Sequence, residues 1–415
     1  MKNFKNSGIE WLGEIPEHWE VVKIKHIFNI GRGRVISQEE LDENGNFPVY
    51  SSQTTNNGIL GYIKTYDFDC EQITWTTDGV NAGTIFLRNG KYNCTNVCGI
   101  LKPRNNENMS FLTYALQNVT PYYKRPDTNG AKIMNNEMAN IQIVYPPLKE
   151  QEQIANFLDE KCEKIQNFIE KKEKLLSLLQ EQKQALIDET ITKGLDKNVK
   201  LKNSGIEWLG EIPEHWEMVR LANFGIFLKG NGISRQDLIE DGEPAIHYGD
   251  IYTKYEISTT ALKSRISTET AQNITSIHNG DILFAGSGET KEDIGKNIVY
   301  LGKEKAFAGG DVIIFRQKKN NALFLSYALN TKYVKSLKGI DSKGEIIVHI
   351  YASNLKDIKI PIPPLKEQEQ IANFLDEKCE KIDSLITKIK KQIELIKEYK
   401  TTLINEAVCG RMGKL

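Results

Sequence analysis

The residue patterns in this chain that could support catalysis are incomplete. Amino-methyltransferases hold their target amine in an Asp/Asn-Pro-Pro-Tyr/Phe loop, but the two Pro-Pro pairs here occur in YPPL and PIPPL. The glycine-rich stretch Gly286–Lys296 resembles a phosphate-binding loop only at first sight. Six residues separate Gly288 from Gly295, and this breaks the GxxxxGK spacing that such a loop requires. We therefore expect a polar surface loop at this position.

The cysteines and histidines do not form a recognisable site either. Cys94 and Cys98 have a spacing that zinc ligands can adopt, but no histidine completes a set of four. Buried strand cysteines are the more common explanation. His18 and His215 each precede a tryptophan inside a repeated motif, which favours a packed, hydrogen-bonded role. No Ser/His/Asp or Cys/His arrangement stands out. We predict a chain with no enzymatic activity of its own and no metal site.

Polar side chains that commonly contact DNA are abundant in the loops of both halves of the chain. Arg and Lys suit guanine or phosphate, and Asn and Gln suit adenine. Each single residue is explained equally well as ordinary loop polarity, so the pattern carries more weight than its members. The candidates in the first half are Arg32, Arg34, Gln53, Thr54, Asn56, Asn57, Thr76, Thr77, Asn81, Lys124, Arg125, Asn129 and Lys132. The candidates in the second half are Lys229, Asn231, Ser234, Arg235, Tyr248, Lys254, Tyr255, Ser287, Glu289, Thr290 and Lys291.

The charge balance limits how such loops could hold a nucleic acid. The formal net charge is −1, with 54 Lys and Arg against 55 Asp and Glu. Within residues 196–362, 22 basic residues face 21 acidic ones, and within residues 363–415 the counts are 10 and 9. A nucleic-acid-binding domain usually shows a clear basic excess. Any binding of DNA must therefore depend on local patches or on help from a partner.

Two repeated segments organise the chain around these loops. PPLKEQEQIANFLDEKCEKI occurs at 146–165 and again at 363–382, an offset of 217 residues. KNSGIEWLGEIPEHWE occurs at 5–20 and 202–217, an offset of 197 residues. We call these the helix repeat and the front motif. The chain is thus an internal duplication of front motif, variable region and helix, with a variable region twenty residues longer in the second half.

Each helix repeat opens a long helical pattern. Pro pairs suit the turn into a helix, and neither Pro nor Gly follows for more than forty residues. We predict helices at about 148–192 and 365–408. Apolar residues recur at alternating steps of three and four, which is the seam of a coiled coil, and we expect the two helices to pair. The seam residues are Leu158, Cys162, Ile165, Ile169, Leu176, Leu179 and Leu186 in the first helix and Leu375, Cys379, Ile382, Ile386, Ile389, Ile393, Ile396 and Leu403 in the second.

The variable regions predict α+β globular domains. In the first, short β-like runs such as VVKIKHIF and QITWTT alternate with turn sequences. SFLTYALQN matches LFLSYALNT in the second region, so we expect the two regions to share one fold. We predict a first domain at 1–145, a long helix at 146–195, a linker and second domain at 196–362, and a second long helix at 363–415.

Length and composition agree with an ordinary multi-domain protein. A chain of 415 residues is long for one hydrophobic core. No run of eighteen apolar residues occurs, and the first residues lack the core of a signal peptide, so we expect a cytoplasmic protein without a membrane segment. The six cysteines fit reduced thiols in that compartment.

The combination of both repeats resembles a known family. SGIEWLGEIPEHWE, followed later by PPLKEQEQIANFLD, is similar to the DNA-specificity subunit of type I restriction-modification systems, and the resemblance spans both halves. The stretch QITWTTDGVNAGTIFLRNGKYNCTNVCG is similar to a target-recognition domain of that family, as is GDILFAGSGETKEDIGK.

The resemblance implies an architecture and a set of partners. Two target-recognition domains would be held apart by an antiparallel pair of long helices, and each would read one half of a bipartite site in double-stranded DNA. The helices would dock two methyltransferase subunits, which carry S-adenosylmethionine, and two restriction subunits with motor and nuclease activity would complete the complex. This chain would bind no cofactor, since S-adenosylmethionine, ATP and Mg²⁺ belong to the partners.

Two other interpretations remain open from the residues. A duplicated structural or adaptor protein could present two faces to other proteins, although the loops rich in Arg, Asn and Gln argue against it. A fused methyltransferase-nuclease is the second, and the missing catalytic motifs argue against it. Salt-dependent DNA binding separates the first alternative from DNA recognition, and methyl transfer by the isolated chain would support the second.

Overall fold

The computed structural model describes residues 3–128, 130–207, 209–344 and 347–412. The chain divides into two compact units. Unit 1 comprises 1–173 and 390–415, and unit 2 comprises 174–389. Each unit therefore holds one front motif, one variable region and a segment of both long helices.

Unit 1 is built mainly from short strands in several small sheets. β10-β8-β12-β4 form one four-stranded sheet and β6-β5-β11-β7 form another, while β13-β14-β9 and the pairs β1-β2 and β15-β3 are smaller. The strands are β1 (Phe4–Asn6), β2 (Glu14–Pro16), β3 (Glu20–Lys23), β4 (Phe28–Arg32), β5 (Phe47–Tyr50), β6 (Ile59–Ile63), β7 (Phe68–Asp69), β8 (Gln72–Thr76), β9 (Asp78–Gly79), β10 (Ile85–Arg88), β11 (Lys91–Cys94), β12 (Cys98–Pro103), β13 (Arg125–Asp127), β14 (Gly130–Lys132) and β15 (Gln142–Tyr145). The helices are α1 (Ile24–Ile27), α2 (Met109–Val119) and α3 (Asn135–Asn140), followed by the start of α4 (Leu148–Lys193).

Unit 2 repeats this plan. Its main sheets are β19-β28-β24-β26-β21 and β22-β20-β27-β23, with the pairs β16-β17, β18-β30 and β25-β29. The strands are β16 (Leu201–Asn203), β17 (Glu211–Pro213), β18 (Glu217–Arg220), β19 (Gly225–Lys229), β20 (Glu243–Ile246), β21 (Ser258–Thr259), β22 (Ser264–Ile266), β23 (Ser276–Ile277), β24 (Ile282–Ala285), β25 (Ser287–Gly288), β26 (Asn297–Tyr300), β27 (Ala306–Ala308), β28 (Val312–Gln317), β29 (Val348–His349) and β30 (Lys359–Ile362). The helices are α5 (Tyr248–Thr253), α6 (Thr268–Ala271), α7 (Ala322–Ala328), α8 (Lys332–Ile340), α9 (Ala352–Lys356) and α10 (Leu365–Val408).

One strand predicted from the sequence is divided. VVKIKHIF reads as a continuous β-run, but the chain forms β3, then the helical turn α1, then β4. The physical reason lies in the partners of these strands. β3 pairs with β15 whereas β4 pairs with β12, so the chain must change direction between two sheets. The buried side chains of Ile24 and Ile27 fix that turn in the core.

Each front motif is anchored to the start of a long helix. In unit 1, Trp19 is buried and donates its indole N–H to Glu150 Oε2 at 3.0 Å, while His18 Nε2 lies 2.7 Å from the other carboxylate oxygen. In unit 2, His215 Nε2 lies 2.9 Å from Glu367 Oε2. The prediction of hydrogen-bonded histidines is confirmed, but the prediction that they are packed is wrong, because the side chains of His18 and His215 are about half exposed.

The two long helices form an antiparallel coiled coil. Lys183 Nζ lies 2.7 Å from both carboxylate oxygens of Asp383. Gly194, which directly follows the end of α4, lies near Glu367 at the start of α10. The two helices therefore run in opposite directions. In unit 1, Lys397 Nζ lies 3.7 Å from Glu173 Oε1.

The predicted seam positions lie along the packed side of these helices. Ten of the fifteen are buried: Leu158, Cys162, Ile165, Ile169, Leu375, Cys379, Ile386, Ile389, Ile393 and Leu403. The others, Leu176, Leu179, Leu186, Ile382 and Ile396, are half-buried. By contrast, Leu178 and Leu395, which lie off the 3.5-residue period, are about half exposed. The helix ends also agree closely with the predicted bounds.

Within the described parts of the chain, none of the helices has both the length and the apolar character that a membrane crossing needs.

Candidate nucleic-acid interface

In unit 1, the first candidate segment is the loop that joins β5 and β6. Asn56 and Asn57 are exposed and have φ values of 49° and 52°. They are the two non-glycine residues with positive φ among the described residues. Asn tolerates this left-handed conformation better than most residues, although it remains disfavoured. The Gln53 side chain donates to Ile59 O and closes the base of the loop. This loop therefore presents two amide side chains from a constrained backbone.

The second candidate segment of unit 1 is a small sheet at the end of β8. β9 pairs with β14, so that Asp78 lies opposite Lys132. Arg32 Nη2 donates to Thr77 Oγ1 at 3.3 Å from the neighbouring strand end. The sheet thus brings together Asp78 and Lys132, which are 54 positions apart in the sequence. Asn129, another candidate of the first half, lies outside the described residues.

Most basic candidates of unit 1 already have acidic partners. Arg34 donates to Glu40 Oε2 at 2.7 Å and to Asp67 Oδ2 at 3.0 Å. The hydrogen bond to Glu40, followed by those to Asp67, raises the pKa of the Arg34 guanidinium. Arg125 lies 2.5 Å from Glu137, and Lys132 lies 2.9 Å from Asp127. These cations must exchange a carboxylate for a phosphate in order to hold DNA. This is consistent with the near-neutral charge of the chain.

In unit 2, the corresponding segment follows β24. β25 pairs with β29, and Ser287 Oγ lies 2.9 Å from His349 Nδ1. Glu289, Thr290 and Lys291 continue from this pair as an exposed loop. The sequence predicted a polar surface loop over the whole of Gly286–Lys296. The structure differs at both ends, because Ser287 and Gly288 form a strand and Ile294 and Gly295 are buried.

Several candidates of unit 2 serve the structure of their own loops. Asn231 donates to Asn273 O at 2.8 Å and accepts from Thr275 N at 2.8 Å. Ser234 caps a short helical turn through Asp237. Lys254 Nζ lies 2.8 Å from Asp250 Oδ1. These side chains stabilise the loops. Only their exposed atoms can contact a ligand.

Exposure separates the candidates into three groups. The exposed ones are Arg32, Arg34, Thr54, Asn56, Asn57, Lys124, Arg125, Lys229, Asn231, Ser234, Arg235, Lys254, Glu289, Thr290 and Lys291. Gln53, Asn81, Lys132 and Tyr248 are half-buried. Thr76, Thr77, Tyr255 and Ser287 are buried, so their side chains do not face a ligand in this structure. The alternation of polar and apolar residues did not predict the burial of Thr76, because β8 is buried along both of its faces.

Sequence reasoning missed two buried cations that contact these loops. Arg88 is 2% exposed and Lys338 is 0% exposed. Arg88 donates to the carbonyl of Asn57, and Lys338 donates to the carbonyl of Gly295. Neither residue belongs to a motif, and charged side chains are rarely buried. The sequence contains only a weak indication that these two residues are buried. Arg88 follows the apolar strand IFL, and Lys338 lies within the helical pattern YVKSLKGI.

The chain is similar in sequence to a family of known proteins. The family model described as type I restriction modification DNA specificity domain matches residues 16–177 and 213–395. The chain belongs to that family. A type I restriction enzyme specificity subunit of Methanocaldococcus jannaschii is 30% identical over 423 residues, covering 96% of this chain and 94% of the relative. A putative type I specificity subunit of Mycoplasma pneumoniae is 49% identical over 138 residues, which is 33% of this chain and 38% of that relative.

A solved structure agrees with the fold. A chain from work on complex assembly and conformational transition of the type I R-M system gives a TM-score of 0.69 at 16% identity. The match covers 96% of this chain and 99% of that one. At such identity the likeness concerns the fold alone.

Membership of the family answers several questions raised by the sequence. This specificity subunit is the non-catalytic component of its system, as predicted. The family acts in DNA specificity and does not itself bind cofactors. Within the described residues, no group of three or more His, Cys, Asp or Glu side chains is arranged to hold a metal ion.

Proposed function

We propose that this specificity subunit reads a bipartite site in double-stranded DNA, with one half-site for each globular region. The observation that supports the proposal most directly is the duplication. Each unit carries an equivalent polar segment after an equivalent buried strand, β9 after β8 in unit 1 and β25 after β24 in unit 2. The recognition domains on this proposal are 1–145 and 196–362, joined by the helices of 146–195 and 363–415.

The exposed candidate side chains suit direct readout. Asn56 and Asn57 offer amides that match adenine in the major groove, and Arg32 offers a guanidinium that matches guanine. Lys124 and Lys229 are exposed and suit phosphate contacts, which position a protein without selecting sequence. The proposed division of work is therefore base contacts from loops at the sheet ends and phosphate contacts from flanking cations.

The proposal includes partner subunits. We infer that the chain docks two methyltransferase subunits and two restriction subunits, which bring S-adenosylmethionine, ATP and Mg²⁺. The balance of 54 basic and 55 acidic residues supports this. A protein without a net positive charge needs basic groups from its partners in order to bind the phosphates of DNA. Such a complex would act in the cytoplasm, on the DNA of the cell.

The experiment that tests the proposal maps methylated adenines in a host with and without the chain. The expected result is a two-part motif that is methylated only when the chain is present together with its methyltransferase. Methylation of an uninterrupted motif, or no dependence on the chain, would contradict it. DNA-independent binding to two proteins would instead favour the adaptor interpretation.

A domain exchange tests the assignment of half-sites. Residues 21–145 are replaced by the equivalent segment of a relative, and the motif is mapped again. One half of the motif should change while the other half stays the same, since the second region is untouched. A matched exchange of residues 218–362 should alter the opposite half. A change in both halves after either exchange would refute separable recognition.

A further inference from the structure

Arg88 is a buried cation for which the described residues provide no carboxylate partner. It is 2% exposed, and the ionisable groups near it include Tyr50, Cys94 and Cys98. Its guanidinium carbon lies 3.6 Å from the centroid of the Tyr50 ring and 4.2 Å from that of Phe86. Two aromatic faces stabilise such a cation, but taking a charge out of water remains costly. A domain that required only stability would be served by an apolar residue here.

The duplicated fold supplies an internal comparison. In unit 1, Leu87 pairs with Ile73, and Arg88 is the next residue of β10. In unit 2, the equivalent pair is Val299 with Ile282, and Tyr300 is the next residue of β26. The same strand position therefore holds a tyrosine in the second region. The fold does not demand a cation at this place, so the reason for Arg88 is local to the first region.

What Arg88 contacts is the loop between β5 and β6. Its Nη1 donates to Asn57 O at 2.8 Å, and its Nε donates to Thr74 Oγ1 at 3.3 Å. The side chain thus ties the loop, which extends from one sheet, to β8 of the other sheet. Gly58 follows the held carbonyl with φ of 80°, and a Cβ at this position would lie 2.9 Å from Arg88 Nη2. The loop and the guanidinium therefore fit closely.

The held segment is also where the backbone is strained. Asn56 and Asn57 adopt left-handed conformations in succession, and such outliers persist only where the surroundings determine them. Both side chains are exposed. The bond to the Asn57 carbonyl, together with the Gln53 bond to Ile59, constrains the backbone from which the two amide side chains project.

We infer that Arg88 is a positioning residue for sequence recognition: it holds the loop Gln53–Gly58 so that Asn56 and Asn57 meet base edges in the first half-site. Bidentate pairing of an amide with adenine requires the correct angle as well as the correct distance. Loss of the Arg88 side chain is therefore expected to reduce selectivity at those bases more than it reduces the overall affinity for DNA. The inference depends on the proposed reading of DNA by this region.

The test selects preferred sites from a randomised duplex library, using the full chain with its methyltransferase partners. Variants are Arg88→Met, which removes the donors, and Arg88→Lys, which keeps the charge but not the planar fork. We expect Arg88→Met to reduce base discrimination in the first half-site by about tenfold at one or two positions. Discrimination in the second half-site should stay within about twofold of the parent.

Two further variants sharpen the test. Arg104 also donates its Nε–H to a backbone carbonyl, that of Phe28 at 3.2 Å, but outside the loop. Arg104→Met should leave both half-site preferences unchanged. In a chain with Asn56→Gly and Asn57→Gly, which keep the backbone allowed and remove the amides, Arg88→Met should have no additional effect on discrimination.

The outcomes are distinguishable. If Arg88→Met selects the same bases as the parent, or if it weakens both half-sites equally, the positioning role is wrong. If Arg88→Met does not fold, Arg88→Lys decides, with an unchanged first half-site overturning the inference. If the parent chain shows no two-part preference at all, the proposed function has failed, and the inference falls with it.

Discussion

At the residue scale, Lys338 is a fully buried lysine of unit 2. Its Nζ donates to Gly295 O at 2.6 Å and to Leu329 O at 3.0 Å, and it lies 5.7 Å from the centroid of Phe284. Complete burial, followed by repulsion from Lys335, lowers the pKa of Lys338 to about 7. The side chain links α8 to the end of the polar loop that follows β25.

The lowered pKa predicts how the stability of unit 2 changes with pH. Between about pH 7 and about pH 10.5 the unfolded chain keeps the Lys338 proton while the folded chain has lost it. Unfolding then takes up a proton, so raising the pH stabilises the folded state. This contribution is largest above pH 10.5 and is lost as the pH falls towards 7.

The comparison is between the parent chain and Lys338→Met in urea denaturation at pH 7.5, 8.5 and 9.5. The free energy of unfolding of the parent should rise relative to the variant by up to about 1.4 kcal/mol per pH unit. Only the slopes of the free energy of unfolding against pH are compared. The absolute values also differ because Met leaves the carbonyls of Gly295 and Leu329 without this donor. Parallel pH profiles would mean that Lys338 keeps an ordinary pKa in the fold.

At the scale of elements, the long helices are held by a narrow apolar seam. Ile393 is 8% exposed whereas Leu395, two residues further along α10, is 50% exposed. Seam residues at 3.5-residue spacing face the partner helix, and the residues between them face solvent. The difference in exposure between these two positions therefore reflects packing against the partner helix.

We predict that Ile393→Ala lowers the free energy of unfolding by about 2–5 kcal/mol, because it leaves a cavity in the seam. Ile393→Asp should cost more, since a buried charge without a partner is added. Leu395→Ala is the matched control and should change stability by about 0.5 kcal/mol or less. Leu176→Ala, at a half-buried seam position, should lie between them. Equal effects of Ile393→Ala and Leu395→Ala in chemical denaturation would argue against a seam on this face.

At the scale of the whole molecule, the two long helices have nearly equal lengths. α4 has 46 residues and α10 has 44. Each unit contains the start of one helix and the end of the other. If each globular region reads one half-site, helix length is the natural determinant of the spacer between the half-sites.

A heptad inserted into each helix tests this relation. Seven residues preserve the seam and lengthen each helix by about 10 Å. That length corresponds to about three base pairs, which also turn the duplex by about 100°. We expect methylation at the original site to fall severely and any rescued site to have a longer spacer. Methylation of the original motif at the parent level, at equal salt concentration, would show that the helices do not set the spacer.

The sequence by itself determined the duplication, the bounds of the long helices and their seam. Periodicity at 3.5 residues is a local property, so it can be read without knowing the fold. The match between SFLTYALQN and LFLSYALNT likewise predicted two similar regions, and α2 and α7 occupy those segments. Residue types in the loops suggested DNA contacts but did not separate exposed side chains from buried ones.

The tertiary structure decided which of those side chains are available and what holds them. Thr76 and Thr77 are polar and lie before a turn, yet both are buried: Thr76 pairs with Cys98 of β12, and Thr77 donates its Oγ1–H to Val97 O at 3.1 Å. An arginine is expected at the surface from its residue type, and only the folded structure brings Arg88 into contact with Tyr50 of one sheet and Phe86 of another. Contacts of this kind join residues that are distant in sequence, and burial follows from strand order and register. No local pattern records them.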